Sequence, residues 1–117
     1  MPTRVTLRLD FDADRRLGPG KVALLEAIRR HGSIAGAGRQ FRMGYRRAWL
    51  LVDELNRMFA GPLVIARGGG RDGGGAVLTP LGEEIVTRYR KAEAKIVRNA
   101  AGEIDGITRH LAPAAER

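Results

Sequence analysis

The stretch Ser33–Phe59, reading SIAGAGRQFRMGYRRAWLLVDELNRMF, places the tightest constraint on this chain. Its pattern predicts two helices joined by a short turn. With Ala48 set at zero and about 100° turned per residue, Val52, Leu55 and Phe59 fall within about 40° of it. Arg46, Leu50, Asp53 and Arg57 gather on the opposite side. One face is therefore suited to a core and the other to something outside, and the first turn carries Tyr45, Arg46 and Arg47. A short helix, a tight turn and an amphipathic helix with cations at its start make the helix-turn-helix pattern. Such a second helix enters the major groove of DNA by its N-terminal end.

Charge points the same way. The 117 residues carry 21 basic and 13 acidic side chains, a net charge of +8. Arginine supplies 18 of the 21, and a GC-rich genome alone would also enrich Arg, Ala and Gly. Distribution separates the two readings. From Arg29 to Asp72 there are nine arginines against three acids, so six of the eight excess charges lie on the suspected reading segment. That concentration favours a polyanionic partner, most simply nucleic acid, over a merely basic surface.

An apolar fraction of 44% suffices for one modest core at this length. No run approaches the ~18 apolar residues of a membrane span, and no membrane partner is expected. The N-terminus lacks the apolar segment of a secretory signal, which makes the cytoplasm the expected location. With no cysteine, the chain has no disulfide, thiol nucleophile or Cys-ligated zinc.

In chain order, Arg4–Phe11 alternates, with Val5, Leu7, Leu9 and Phe11 on one side, and predicts a strand with one buried face. Gly18-Pro19-Gly20 signals a turn and opens a helix over Lys21–His31 that buries Leu24, Leu25 and Ile28 and ends at Gly32. Arg29 and Arg30 suit the negative end of its dipole. Ser33 is a good N-cap for Ile34–Gln40. Gly36 and Gly38 each lower that helix's propensity by about 1 kcal/mol, which close packing on the next helix would offset. Arg42-Met43-Gly44 forms the turn, with Met43 inward and Gly44 as N-cap.

After Phe59, Ala60-Gly61-Pro62 breaks the helix. Leu63–Arg67 and Ala76–Thr79 flank the glycine-rich Gly68–Gly75, and predict a hairpin with a long tip. With the helices before it, this makes a winged helix-turn-helix. Thr79-Pro80 is a strong helix start. Apolar residues then recur at Leu81, Ile85, Tyr89, Ala92, Ile96, Ala100, Ile104, Ile107 and Leu111. A helix of ~30 residues is about 45 Å long, longer than so small a domain is wide. Its stripe therefore needs an outside partner, and a second copy of the chain is the simplest. The expected fold is mainly α with a small β-hairpin wing: residues 1–79 as the winged helix-turn-helix and 80–117 as the dimerisation helix and tail. Leu81, Ile85, Tyr89, Ala92 and Ile96 are the expected dimer seam.

The run Ser33–Asn56 and the segment Gly73-Gly74-Gly75-Ala76-Val77-Leu78-Thr79 resemble the DNA-binding domain of the molybdate-responsive transcriptional regulators (ModE family). That domain is in turn similar to the DNA-reading half of LysR-type regulators. Gly32-Ser33-Ile34, Tyr45 with Ala48-Trp49, Glu54-Leu55-Asn56 and Leu63-Val64 also match, and the resemblance covers nearly the whole chain. It implies the fold, dimerisation through the long helix and a palindromic DNA site. Full-length members carry a C-terminal molybdate-binding module. This chain ends at Arg117 without room for one, so molybdate is not an expected partner. Gly44 stands where the family has a polar N-cap on the recognition helix.

The expected DNA contacts are Ser33, Arg42, Tyr45, Arg46, Arg47, Arg57, Arg67 and Arg71. Arg46 points outward, with its guanidinium placed to meet a guanine edge, while Tyr45 or Arg47 holds phosphate. Trp49 lies at the margin between the two faces and is expected to anchor the core. Arg67 and Arg71 belong to the wing, placed for phosphate or the minor groove. Gly68, Gly70 and Gly73 spell a G-x-G-x-x-G, but a strand follows rather than the helix that a phosphate site requires, so no nucleotide is expected there. The two histidines, His31 and His110, have no carboxylate pattern around them. The expected function is a dimeric, transcription-regulating DNA binder with no cofactor, metal or chemistry of its own. The alternatives are an architectural DNA binder of low specificity, a protein adaptor and, weakest, an enzyme.

Overall fold

A computed structural model describes residues 3–68 and 74–114, which form four helices and two small antiparallel hairpins. The order is β1 (Leu9–Asp10), β2 (Arg16–Leu17), α1 (Pro19–His31), α2 (Ile34–Gln40), α3 (Tyr45–Met58), β3 (Val64–Arg67), β4 (Gly75–Leu78) and α4 (Pro80–Thr108).

Local chemistry sets the helix ends. Gly18 caps α1 ahead of Pro19, whose missing N–H is no loss in a first turn. Gly32 ends that helix at φ 72°, and its N–H donates to the Ile28 carbonyl at 2.8 Å. A side chain other than glycine is strained there. The Ser33 hydroxyl accepts the Gly36 N–H at 2.9 Å and starts α2. Thr79 does the same for α4, accepting from Gly82 N–H at 2.9 Å. Gly44 starts α3 with no side-chain cap.

The N-terminal segment departs from the strand expected over Arg4–Phe11. Pairing is confined to Leu9 with Leu17 and Asp10 with Arg16. The physical reason is the lack of a longer partner, because α1 begins at Pro19, two residues after Leu17. Val5 and Leu7 are half-buried, whereas Leu9 and Phe11 are exposed. Phe11 instead meets Phe59 edge-on, with ring centroids 5.9 Å apart.

The core joins Leu24, Leu25 and Ile28 of α1 to Val52 and Leu55 of α3, with Leu63, Ala76 and Leu78 closing it from the second hairpin. Helices α2 and α3 approach closely at Gly38, where an added Cβ would lie 3.1 Å from the Met43 carbonyl oxygen and 3.3 Å from Ala48 Cβ. Gly36 serves differently: its neighbours are Ser33 and His31, not the following helix.

Two backbone ties hold the second hairpin. Asn56 of α3 accepts from the N–H groups of Leu63 and Val64 at 2.8 and 3.0 Å and donates to the Val64 carbonyl at 2.9 Å. On the other strand, the Ala76 N–H donates to the Gly32 carbonyl at 2.9 Å. The hairpin is thus fastened to α3 at its base, beside Val64, and to the α1–α2 corner farther along, at Ala76.

Helix α4 has 29 residues, and only its beginning is enclosed. Gly82, Val86 and Tyr89 are buried, and Leu81 and Ile85 pack against the same core. Tyr89, expected on a dimer seam, is 2% exposed, and its hydroxyl donates to the Leu7 carbonyl at 2.6 Å. Its ring and its polar tip are both satisfied within the protomer, so the seam expected at Leu81, Ile85 and Tyr89 is largely internal packing. Farther along, Ile96 is 41% and Ile107 68% exposed, with Ala92 half-buried between the two regimes.

An ion-paired cluster ties α4 to α1. Arg90 donates to both oxygens of Glu26, at 3.0 and 2.7 Å, and to Glu93 at 2.9 Å. The Arg90 hydrogen bonds hold the Glu26 carboxyl below its ordinary value of 4.5, against the opposing pull of partial burial. A carboxylate whose folded pKa is depressed stabilises the fold fully above its unfolded value and loses that contribution as pH falls through the folded one. The thermal midpoint is therefore expected to fall below about pH 4.5, and Glu26→Gln to flatten that decline. Identical midpoint-against-pH curves for the two proteins would assign the acid loss to other carboxylates.

Candidate nucleic-acid interface

Helix α3 follows α2 after the four-residue connection Phe41–Gly44. Hydrogen bonds from Phe41 and Met43 N–H to the Gly38 carbonyl, at 3.0 and 2.9 Å, shape that turn. Arg42 sits in it at φ 54°, the one described non-glycine residue in the left-handed region. Such a conformation costs an ordinary side chain about 1 kcal/mol or more, which the surrounding hydrogen bonds must offset.

The burial of α3 divides as its sequence predicts. Ala48, Val52, Leu55 and Met58 are buried, while Tyr45, Arg46, Arg47 and Leu50 are exposed. Arg57 is exposed too, but it pairs with Asp53 one turn back at 2.7 Å. That pairing leaves its guanidinium partly committed and neutralises Asp53, while the helix's other acid, Glu54, pairs with Lys21 of α1.

Trp49 corrects an expectation. It is 45% exposed rather than a core anchor. With Tyr45 it borders a shallow groove between α3 and the second hairpin, floored by Ile34, Val52, Val64 and Ala76. At its angle on the helix it clears the core and meets the groove rim.

Among the described residues several exposed arginines hold no carboxylate: Arg4, Arg67, Arg98 and Arg109 stand apart from one another, and four more lie together near the start of α3. Arg8, Arg15, Arg29, Arg57, Arg88 and Arg90 all hold a carboxylate, and Arg30 bonds to Gln40. Among the described residues, Arg39, Arg42, Arg46 and Arg47 enter no ion pair and no side-chain hydrogen bond, and all four are exposed. They flank one turn and the helix that follows it. Arg39 is missing from the expected contacts; its place at the end of α2, beside the turn, was the available signal.

The other expected contacts are spread differently. Ser33 is half-buried and its hydroxyl is occupied by the α2 cap. Arg67 lies at the end of β3, with its guanidinium close to Gly32 and Gly75, where an added Cβ would lie 3.3 and 3.2 Å from Nη2. It therefore covers the carboxyl end of α1, which suits a cation. Arg71 lies outside the described residues, as does most of the glycine-rich segment.

No family model matches the chain. Over 83 residues it is 46% identical to the molybdenum-pterin-binding protein MopB of Rhodobacter capsulatus, covering 71% of this chain and 31% of that protein. With the molybdenum transport protein ModE of Azotobacter vinelandii it shares 41% identity over 87 residues, 74% of this chain and 32% of the relative. The DNA-binding transcriptional dual regulator ModE of Escherichia coli strain K12 is 32% identical over 89 residues, 76% and 34% of the two chains. The chain is a homologue of the ModE and Mop proteins. It spans about a third of the length of these relatives. The ModE and Mop names describe whole proteins, and the exposed arginines belong to the third that is shared.

Proposed function

We propose that this chain is a winged helix-turn-helix protein that binds duplex DNA as a dimer at a palindromic site and regulates transcription. The observation that carries the reading is the group of exposed, unpaired arginines at Arg39, Arg42, Arg46 and Arg47, gathered on the turn and the first turns of α3. Cations left without acids on one face suit a phosphate backbone, and the outward position of Arg46 suits a base edge. Homology to a relative named a DNA-binding transcriptional regulator supports the same role. In this reading the second hairpin is the wing, Arg67 and Arg71 lie along the backbone, and Tyr45 and Arg57 stand beside it. Ser33 contributes by orienting α2. The dimer forms through the distal part of α4, where Ile96 and Ile107 are exposed, with Ala92 at its near edge.

The test is a titration against a duplex enriched from a random pool and against its scrambled form. Specific binding should exceed random by ~10³ or more, with two chains per duplex. Arg46→Ala should lower that ratio, since losing a bidentate base contact costs about 1–3 kcal/mol at one base position. Arg71→Ala should weaken both duplexes alike. Equal affinity of the unsubstituted protein for both would make it an architectural binder, and no affinity for either would leave a protein adaptor.

A further inference from the structure

The outward side of α3 is mostly polar, and its two acids, Asp53 and Glu54, are each held by a cation, Arg57 and Lys21. Arg46 and Arg57 lie on it, Asp53 is tied to Arg57, and between them Leu50 is 48% exposed. Single exposed apolar side chains are common on protein surfaces and need no explanation by themselves. Leu50 differs in its setting. It lies one helical turn beyond Arg46, on the same side, and it is not among the apolar residues packed against the core. Trp49, its exposed neighbour, turns instead toward the groove beside the hairpin.

A helix laid in the major groove with Arg46 toward the bases brings Leu50 to the bases as well. The groove floor offers donors, acceptors and one apolar feature, the 5-methyl group of thymine. An apolar side chain facing donors and acceptors would desolvate them without replacing their hydrogen bonds. Against a methyl group it buries carbon on both sides.

We infer that Leu50 is a specificity-determining residue that reads a thymine methyl group, next to the base read by Arg46. The inference rests on the proposed DNA-binding function and deepens it. Four residues of helix advance about 6 Å, and successive base pairs are about 3.4 Å apart. The thymine therefore lies within about two base pairs of the position that Arg46 specifies. Burying one methyl group is worth about a fourfold change in affinity, and about fifteenfold when both half-sites of a dimer contribute.

The experiment uses the full chain and the duplex enriched from a random pool. Each thymine is replaced singly, then in symmetric pairs, by uracil, which lacks only the methyl group. One thymine near the Arg46-sensitive base pair should show the fourfold loss, and its symmetric pair about fifteenfold. Leu50→Ala should bind thymine and uracil duplexes alike at that position. Leu50→Gln, which keeps the length and removes the apolar tip, should do the same, with melting curves showing both variants folded. The inference is overturned if no thymine responds, or if the response persists in both variants. It is equally overturned if both variants bind the enriched duplex as the unsubstituted protein does, which would direct Leu50 to a protein partner. Failure of the underlying reading looks different: the random pool then yields no enriched duplex at all.

Discussion

Gly82→Ala is expected to remove a large part of the stability of the fold. An added Cβ at this position would sit 2.2 Å from the Leu63 carbonyl oxygen and 3.1 Å from its carbonyl carbon. Those atoms are backbone, so no rotamer change relieves the overlap. Nor can α4 back away cheaply. Thr79 N–H donates to that same Leu63 oxygen at 2.9 Å, and the Thr79 hydroxyl donates to the Pro62 carbonyl at 2.8 Å. In a free helix the same substitution would be favourable by about 1 kcal/mol. Here steric overlap reverses the sign, at a cost of about 3–5 kcal/mol against a typical total of about 5–15. The thermal midpoint should drop by roughly 15 °C or more. Gly102→Ala provides the internal control, since it lies in the same helix with open space around it. It should raise the midpoint slightly. Circular dichroism melts of the two variants decide the matter, and a Gly82→Ala protein melting within a few degrees of the parent would refute the close approach.

Duplex binding is expected to collapse with salt. Each phosphate neutralised by an arginine releases condensed counterions, giving a slope of about −0.9 per contact in log K against log salt. Three contacts from each of two subunits predict a slope of about −5 or steeper, and a loss of roughly 10³ in affinity between 50 and 200 mM. Fluorescence anisotropy at four or five salt concentrations measures it. A flat dependence would remove the unpaired arginines from the mechanism, whatever the affinity.

Helix positions were largely legible because their stop and start signals are local. Gly18-Pro19, Gly32-Ser33 and Thr79-Pro80 each act through one or two dihedral angles or one capping bond, and each falls where the helices begin or end. The two faces of α3 were legible for the same reason, since a period of 3.6 residues needs no tertiary knowledge. What escaped depended on distant backbone. Gly82 reads as an unremarkable helical glycine until Leu63 is brought against it. Asn56 is one polar residue on a helix flank, and its three bonds to the following strand exist only once that strand turns back. Tyr89 fitted the apolar spacing of a seam, but 82 residues separate it from the Leu7 carbonyl that its hydroxyl meets. The alternation in Arg4–Phe11 promised a strand, and nothing within that segment tells how much partner strand is available. On the exposed face of α3, the position of Arg46 followed from periodicity, whereas the pairing of Arg57 with Asp53 was one of several arrangements that the i,i+4 spacing allowed.

The two ties along the second hairpin, one at its base and one near the far end of the paired strands, set a fixed gauge. On one strand the amide of Asn56 holds peptide groups, and on the other the Gly32 carbonyl holds the Ala76 N–H. Peptide groups are present whatever side chains the strands carry, so surface substitutions along the hairpin leave its pitch against α3 unchanged. The separation between the two elements is then a constant of the scaffold. Register and surface chemistry are thereby free to evolve independently.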